Sequence, residues 1–278
     1  MELMIIVSIS LAVMLILFIG YRKSNNNKKL QKEGLVYIQS IKDIITMVQQ
    51  HRGLSSALLN CDASAQHKLF VLRQKVADQK KQLSVPLFTK NERWCAFTDH
   101  WQRLTQRNNN SSVANSFEQH TMMIRNLAYL LEDTAELSHL TAEFIPQLTQ
   151  IGYVWRELVL ATESIGQSRA LGTGIAAKKL CSNVDKIRLN FLIKTMKNTT
   201  ENTLQHLSYL PQEQQMHQNL VGKATANIAQ LIRVIEEELI QAEKVSVDNK
   251  SYFNLATNTI EKMNDIFEHQ VKQLYTSL

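Results

Sequence analysis

After the first twenty residues, apolar positions recur at three- and four-residue steps almost without interruption, which is the period of amphipathic α-helices. The spacing predicts helices over 33–60, 64–84, 91–107, 113–138, 143–180, 183–209, 213–244 and 250–276. In the last of these the stripe runs Phe253, Ala256, Ile260, Met263, Phe267 and Leu274, skipping Gln270; in the fourth it runs Phe117, Thr121, Ile124, Ala128 and Leu131. Such stripes read as the seams of helical bundles. The breaks fall at Pro86, at the polar run Asn108–Ser112 and at Pro211. Pro146 is expected within the first turns of the fifth helix, where proline is tolerated. That helix would hold about 38 residues and measure about 57 Å.

Two landmarks occur twice, in the same order. Gln50-His51-Arg52-Gly53-Leu54 aligns with Gln167-Ser168-Arg169-Ala170-Leu171, and small residues follow both. The spacing F-x3-T-x2-I occurs at Phe117, Thr121, Ile124 and again at Phe253, Thr257, Ile260. A duplicated helical unit is implied, with an arginine at matching places and more chain between the landmarks in the second copy. Eight long helices in two similar halves predict an all-α chain of two four-helix bundles, whose first and fifth helices share an interface.

The N-terminus reads differently. Leu3 to Gly20 carries no charge, spans about 27 Å as a helix and is followed by Tyr21. No basic side chain precedes it, and no small-residue cleavage pattern ends it, so an uncleaved anchor over 3–21 is expected rather than a signal peptide. Arg22, Lys23, Lys28, Lys29 and Lys32 lie just beyond, in a basic linker over 22–33. The positive-inside tendency then predicts a single-pass inner-membrane protein with residues 34–278 in the cytoplasm. These charges suit anionic head groups and, with Glu2 and Glu33 counted against them, leave +3 of the formal net charge of +6 in residues 1–33. What remains is too little to argue for nucleic acid.

Composition narrows the function further. Eight glycines and three prolines in 278 residues are too few turn formers for a many-stranded fold. Cys61, Cys95 and Cys181 read as free thiols. The eight histidines show no metal spacing, no phosphate-binding or nucleophile motif occurs, and paired Glu-x-x-His motifs are missing. An enzyme is not expected, nor any cofactor or metal.

The arginines are the candidate chemistry. At helical spacing Arg52 neighbours Val48, Ser55, Ser56 and Leu59, and Arg169 neighbours Ile165, Gly166, Gly172 and Thr173; neither has a carboxylate on its own face. A buried guanidinium needs a compensating charge, either a bound anion or a carboxylate from another helix. Arg233 is a third candidate, although Glu236 and Glu237 are placed to pair with it locally. Gly166, Gly172 and Gly174 suggest close helix packing nearby.

Gln-x-Arg-Gly-Leu-Ser resembles the signature of nitrate- and nitrite-sensing (NIT) domains. Ile165–Gly172 resembles the second landmark of that family, and the segment from Ser251 to Ile260 its last helix. The resemblance covers residues 34–278 and implies two bundles with an anion site between them, lined by Arg52, Arg169 and Arg233, with Gln50, His51 and Gln167 beside them. Some members carry two adjacent arginines where this chain has His51-Arg52, and a protonated His51 would stand in as a donor. No output domain is read in these residues, so a separate signalling partner, and a homodimer, are expected. Two other readings stay open. One is a helical scaffold or oligomerisation module that binds no anion. The other is an outward-facing, chemoreceptor-like bundle.

Overall fold

The computed structural model describes the backbone of residues 2–106 and 112–278; the side chains of residues 2–10, 12 and 13 are also outside the description. Among the described residues there is no strand. The described residues form eight long helical segments. These are α1 (Glu2–Leu59), α2 (Ala65–Gln82), α3 (Glu92–Gln106) and α4 (Val113–Leu137), then α5, which joins Ile151–Tyr153 and Val159–Lys178 through a π-helical turn at Val154–Leu158. In α6, Asn183–Asn198 continues into a π-helical stretch at Thr199–Leu204; α7 (Gln214–Val234) does the same at Ile235–Ile240, and α8 is Asn249–Ser277.

α1–α4 form one four-helix bundle and α5–α8 the other, with α1 and α5 at the junction. α4 runs antiparallel to α1, since Gly34 meets Ser138 at one end and His51 meets His120 at the other. α5 runs parallel to α1, because it starts beside the end of α4. There Trp155 Nε1 donates to the Leu140 carbonyl (2.8 Å), and Arg156 pairs with Glu132. A single buried apolar cluster extends through both halves, from Leu35, Ile45, Phe97 and Leu131 to Leu158, Ile228, Met263 and Phe267. Burial of that continuous surface is the dominant stabilising term.

Four predicted boundaries need correcting. The fifth helix starts at Ile151, not at 143. His139, at φ 56°, turns the chain out of α4, and 141–150 make successive turns that carry Pro146 ahead of the helix. Ser24–Lys32 is part of α1 rather than a linker. It contains neither glycine nor proline, and continuing a helix is far easier than starting one, so polar composition alone does not break it. Lys29 and Glu33, 3.9 Å apart, add an i,i+4 pair. α6 and α7 end at Leu204 and Ile240, several residues early. The extra chain between the second pair of landmarks lies mostly in these two helices.

The predicted anchor, Leu3–Tyr21, falls largely outside the described side chains. Among the described residues no helix is long and apolar enough to cross a membrane. Its described part, Leu11 and Met14–Ile19, is exposed on every side. The loop expected at Asn108–Ser112 also lies outside the described residues, except for Ser112, which caps α4 by accepting from the Asn115 amide (3.2 Å). The three cysteines are free.

Candidate functional site

Arg52 sits at the α1–α5 junction with 1 % of its surface exposed. Its Nη1 donates to Glu163 Oε1 (2.5 Å) and its Nη2 to Glu163 Oε2 (3.2 Å), the two-pronged geometry that matches a planar guanidinium to a planar carboxylate. Glu163, on α5, is likewise buried and accepts two further bonds, from Gln49 Nε2 (2.9 Å) and Gln167 Nε2 (3.0 Å). Gly166 makes room for this, since a β-carbon there would lie 3.1 Å from Arg52 Nη2. For Arg52, then, a carboxylate from the other bundle supplies the compensating charge.

The duplicated landmarks meet in space. Arg52 Nη1 also donates to Thr121 Oγ1 (3.0 Å), and its guanidinium lies 5.1 Å from the Phe117 ring centre. In the second bundle Arg169 Nη1 donates to Thr257 Oγ1 (3.1 Å), with its guanidinium 5.2 Å from the Phe253 ring. Phe117, Thr121 and Phe253 fall on stripes that read as core seams, and Thr257 on the repeated landmark beside one. They are instead arginine holders, and the recurring F-x3-T spacing was the signal for them. The remaining apolar members of both stripes are buried as expected.

The two copies differ in charge. Arg169 is half-buried, and no carboxylate forms an ion pair with it among the described residues. Burial, and then the positive charge of Arg52, hold its pKa down to about 10, with Glu163 opposing them. The junction thus carries two guanidinium groups against one carboxylate. The buried Nε–H of Arg52 has no acceptor among the described residues. Surplus positive charge and spare donors are the requirements of an anion site.

The other predicted residues lie elsewhere or act indirectly. Gln167 touches the site only through Glu163. Gln50 faces solvent, and Arg233 is exposed on α7 while its neighbour Glu236 pairs with Lys197 (2.9 Å). His51 is buried but engaged in a different network. Arg73 Nε donates to His51 Nε2 (3.1 Å), which leaves the His51 proton on Nδ1 to be donated to His120 Nε2 (2.8 Å). His120 Nδ1 in turn donates to the Ser116 carbonyl (2.6 Å). Burial, with the charges around them, lowers His51 to about 2 and His120 to about 4. His51 is therefore neutral and does not serve as a charged anion donor here. Glu163 and Gln49 escaped the sequence reading, since nothing local marks a glutamine or glutamate whose partner lies over a hundred residues away.

Compared with known proteins, residues 43–274 match the family model described as nitrate and nitrite sensing. No curated protein and no solved structure matches the chain.

Proposed function

The chain belongs to the nitrate- and nitrite-sensing family, and from that premise we propose that its α1–α5 junction binds nitrate or nitrite and passes the event on as a conformational change. The observation that carries the proposal is the charge imbalance, with Arg52 and Arg169 facing a single carboxylate, Glu163. One monovalent anion would neutralise the junction. Nitrate and nitrite are planar, with acceptor oxygens spaced to suit a guanidinium fork. Binding draws the two bundles together and shifts the population towards the closed arrangement.

Anchoring at the membrane belongs to the same proposal. The apolar side chains of Leu11 and Met14–Ile19 are exposed around the whole circumference of α1, and lipid is the surrounding that suits them. The basic residues from Arg22 to Lys32 favour a cytoplasmic body. The signalling partner is then a separate protein that reads the bundles. A homodimer is one form such signalling takes.

The scaffold reading is favoured by one observation, that Glu163 already fills the Arg52 fork. Thermal melts of the purified chain separate the two. Nitrate or nitrite at a hundredfold excess over its dissociation constant should stabilise the protein by about 2.7 kcal/mol, while sulfate at equal ionic strength should not. Arg169→Ala should remove that response with little change in stability. Arg52→Ala should instead destabilise the protein by about 3 kcal/mol, because it leaves Glu163 buried without its cation. A wild-type protein indifferent to nitrate and nitrite would establish the scaffold.

A further inference from the structure

The two halves repeat one arrangement, but one component occurs only once. Each half has an arginine six residues beyond a fixed point on its junction helix, a threonine that accepts from it and a phenylalanine beneath it. Glu163 stands six residues before Arg169 on α5; six residues before Arg52 on α1 stands Thr46. α1 and α5 are parallel, and the two pairs share one offset, since 169 − 52 and 163 − 46 are both 117. Gln49 and Gly166, each three residues before its arginine, face one another across the junction, with a β-carbon on Gly166 3.5 Å from Gln49 Nε2. By that register Arg52 corresponds to Arg169, and Glu163 to Thr46. Arg52 reaches back along the helix direction to Glu163, and a helical side chain such as Arg169 leans towards its own preceding turn, which by the same register is the turn that faces Thr46.

Other contacts place Thr46 on the appropriate face. Lys42, one turn before it, donates from Nζ to Asn264 Oδ1 (2.7 Å) and lies 5.5 Å from the Phe267 ring, both on α8. α8 is the helix whose Thr257 accepts from Arg169. Thr46 itself carries no charge, and among the described residues its hydroxyl bonds only back to the Lys42 carbonyl (3.1 Å). Both Thr46 and Arg169 are half-buried, whereas the Arg52–Glu163 pair is closed off, so access lies on the Arg169 side.

We infer that the bound anion takes, beside Arg169 and Thr46, the place that the Glu163 carboxylate takes beside Arg52. This rests on the reading of the chain as an anion sensor and adds where the ligand lies and what selects it. The protein carries its own copy of the ligand's shape, since a carboxylate and nitrite are both bent O–X–O groups of one negative charge. The ligand class is accordingly a small planar monoanion, namely nitrite, nitrate or formate. Glu163 sets the surplus at one positive charge, which disfavours a dianion such as sulfate. The Arg52–Glu163 pair stays intact on binding and holds α1 to α5 while the second, symmetric clasp closes.

The test supplies the missing carboxylate from the chain. Thr46→Glu in the full chain should form the second clasp without ligand, raise the melting temperature and weaken nitrate binding at least tenfold by calorimetry. Thr46→Gln, of equal length but uncharged, should occupy the same space without supplying the counter-charge, and so should not raise the melting temperature. Should Thr46→Glu fail to fold, the wild type still decides, because sodium formate should displace nitrate competitively and sodium sulfate should not. Undiminished nitrate binding by Thr46→Glu, or a failure of formate to compete, would overturn this placement and leave the sensor reading standing. A wild type that binds neither nitrate nor nitrite would overturn the sensor reading and this placement with it.

Discussion

At the scale of single residues, the junction separates two kinds of buried polar group. Arg52 and Glu163 are charged and paired, and they sit within a set of bonds that satisfies both carboxylate oxygens. His51 and His120 are neutral and linked in one direction, from Arg73 to the Ser116 carbonyl. Their lowered pKa values make stability depend on pH. From about 6.5 downwards the unfolded chain takes up protons on these rings, while folded His120 does so only near 4 and His51 near 2. The stability they contribute is full above the unfolded value and declines as pH falls from 6.5, down to about 4 for His120 and about 2 for His51. The melting temperature should therefore fall between about pH 7 and pH 5. A His51→Gln, His120→Gln double variant should show a smaller fall. Some dependence will remain, because His217 is also lowered to about 4. A double variant as pH-sensitive as wild type would exclude this pair as the source.

At the scale of elements, α5 illustrates how helices are fitted to their neighbours. It carries four of the chain's eight glycines, among them Gly166, Gly172 and Gly174, in a helix where each costs about 1 kcal/mol relative to alanine. Gly172 lies flat against Tyr252 of α8, where a β-carbon would fall 2.3 Å from the ring; Tyr252 Oη donates to the Ser168 carbonyl (2.9 Å) from that position. Gly174 has nothing within 4 Å of the same construction. Opposite outcomes follow from one chemical change. Gly172→Ala should lower stability by about 1–3 kcal/mol through overpacking against a ring that is fixed at both ends. Gly174→Ala should raise it by about 1 kcal/mol through helix propensity. Denaturant melts of the two variants check both, and equal effects would contradict the close approach.

At the scale of the molecule, α1 connects everything. It runs for 58 residues, about 87 Å, and carries the exposed apolar segment, the contact of Gln31 with the His139 carbonyl and finally Arg52. A shift of α1 against α5 at the anion site therefore has a continuous helix through which to reach the N-terminal end. The proposed orientation is checked with fusions after Leu278. A reporter that needs the cytoplasm should be active, and a periplasmic alkaline phosphatase should be silent. Active phosphatase would reverse the topology and favour an outward-facing bundle.

Much of this was legible along the chain, for a physical reason. Helix periodicity is set by neighbours three and four residues apart, so 65–82, 92–106, 113–137 and 249–277 are found within a few residues of where the apolar stripes put them. The duplication was visible for the same reason, as both landmarks are local patterns, and they marked Arg52 and Arg169 together with the Phe and Thr that hold them. What only the tertiary structure decided are contacts between distant segments. Glu163 became the partner of Arg52 through the register of two parallel helices, which no neighbouring residue encodes. His51 was turned from a candidate anion donor into a neutral link because α2 and α4 bring Arg73 and His120 against it. The start of α5 was set by the turn at His139 and by Trp155 reaching back to Leu140, not by the pattern of residues 143–150. A helix's face is written in its own sequence. What that face meets is decided by packing.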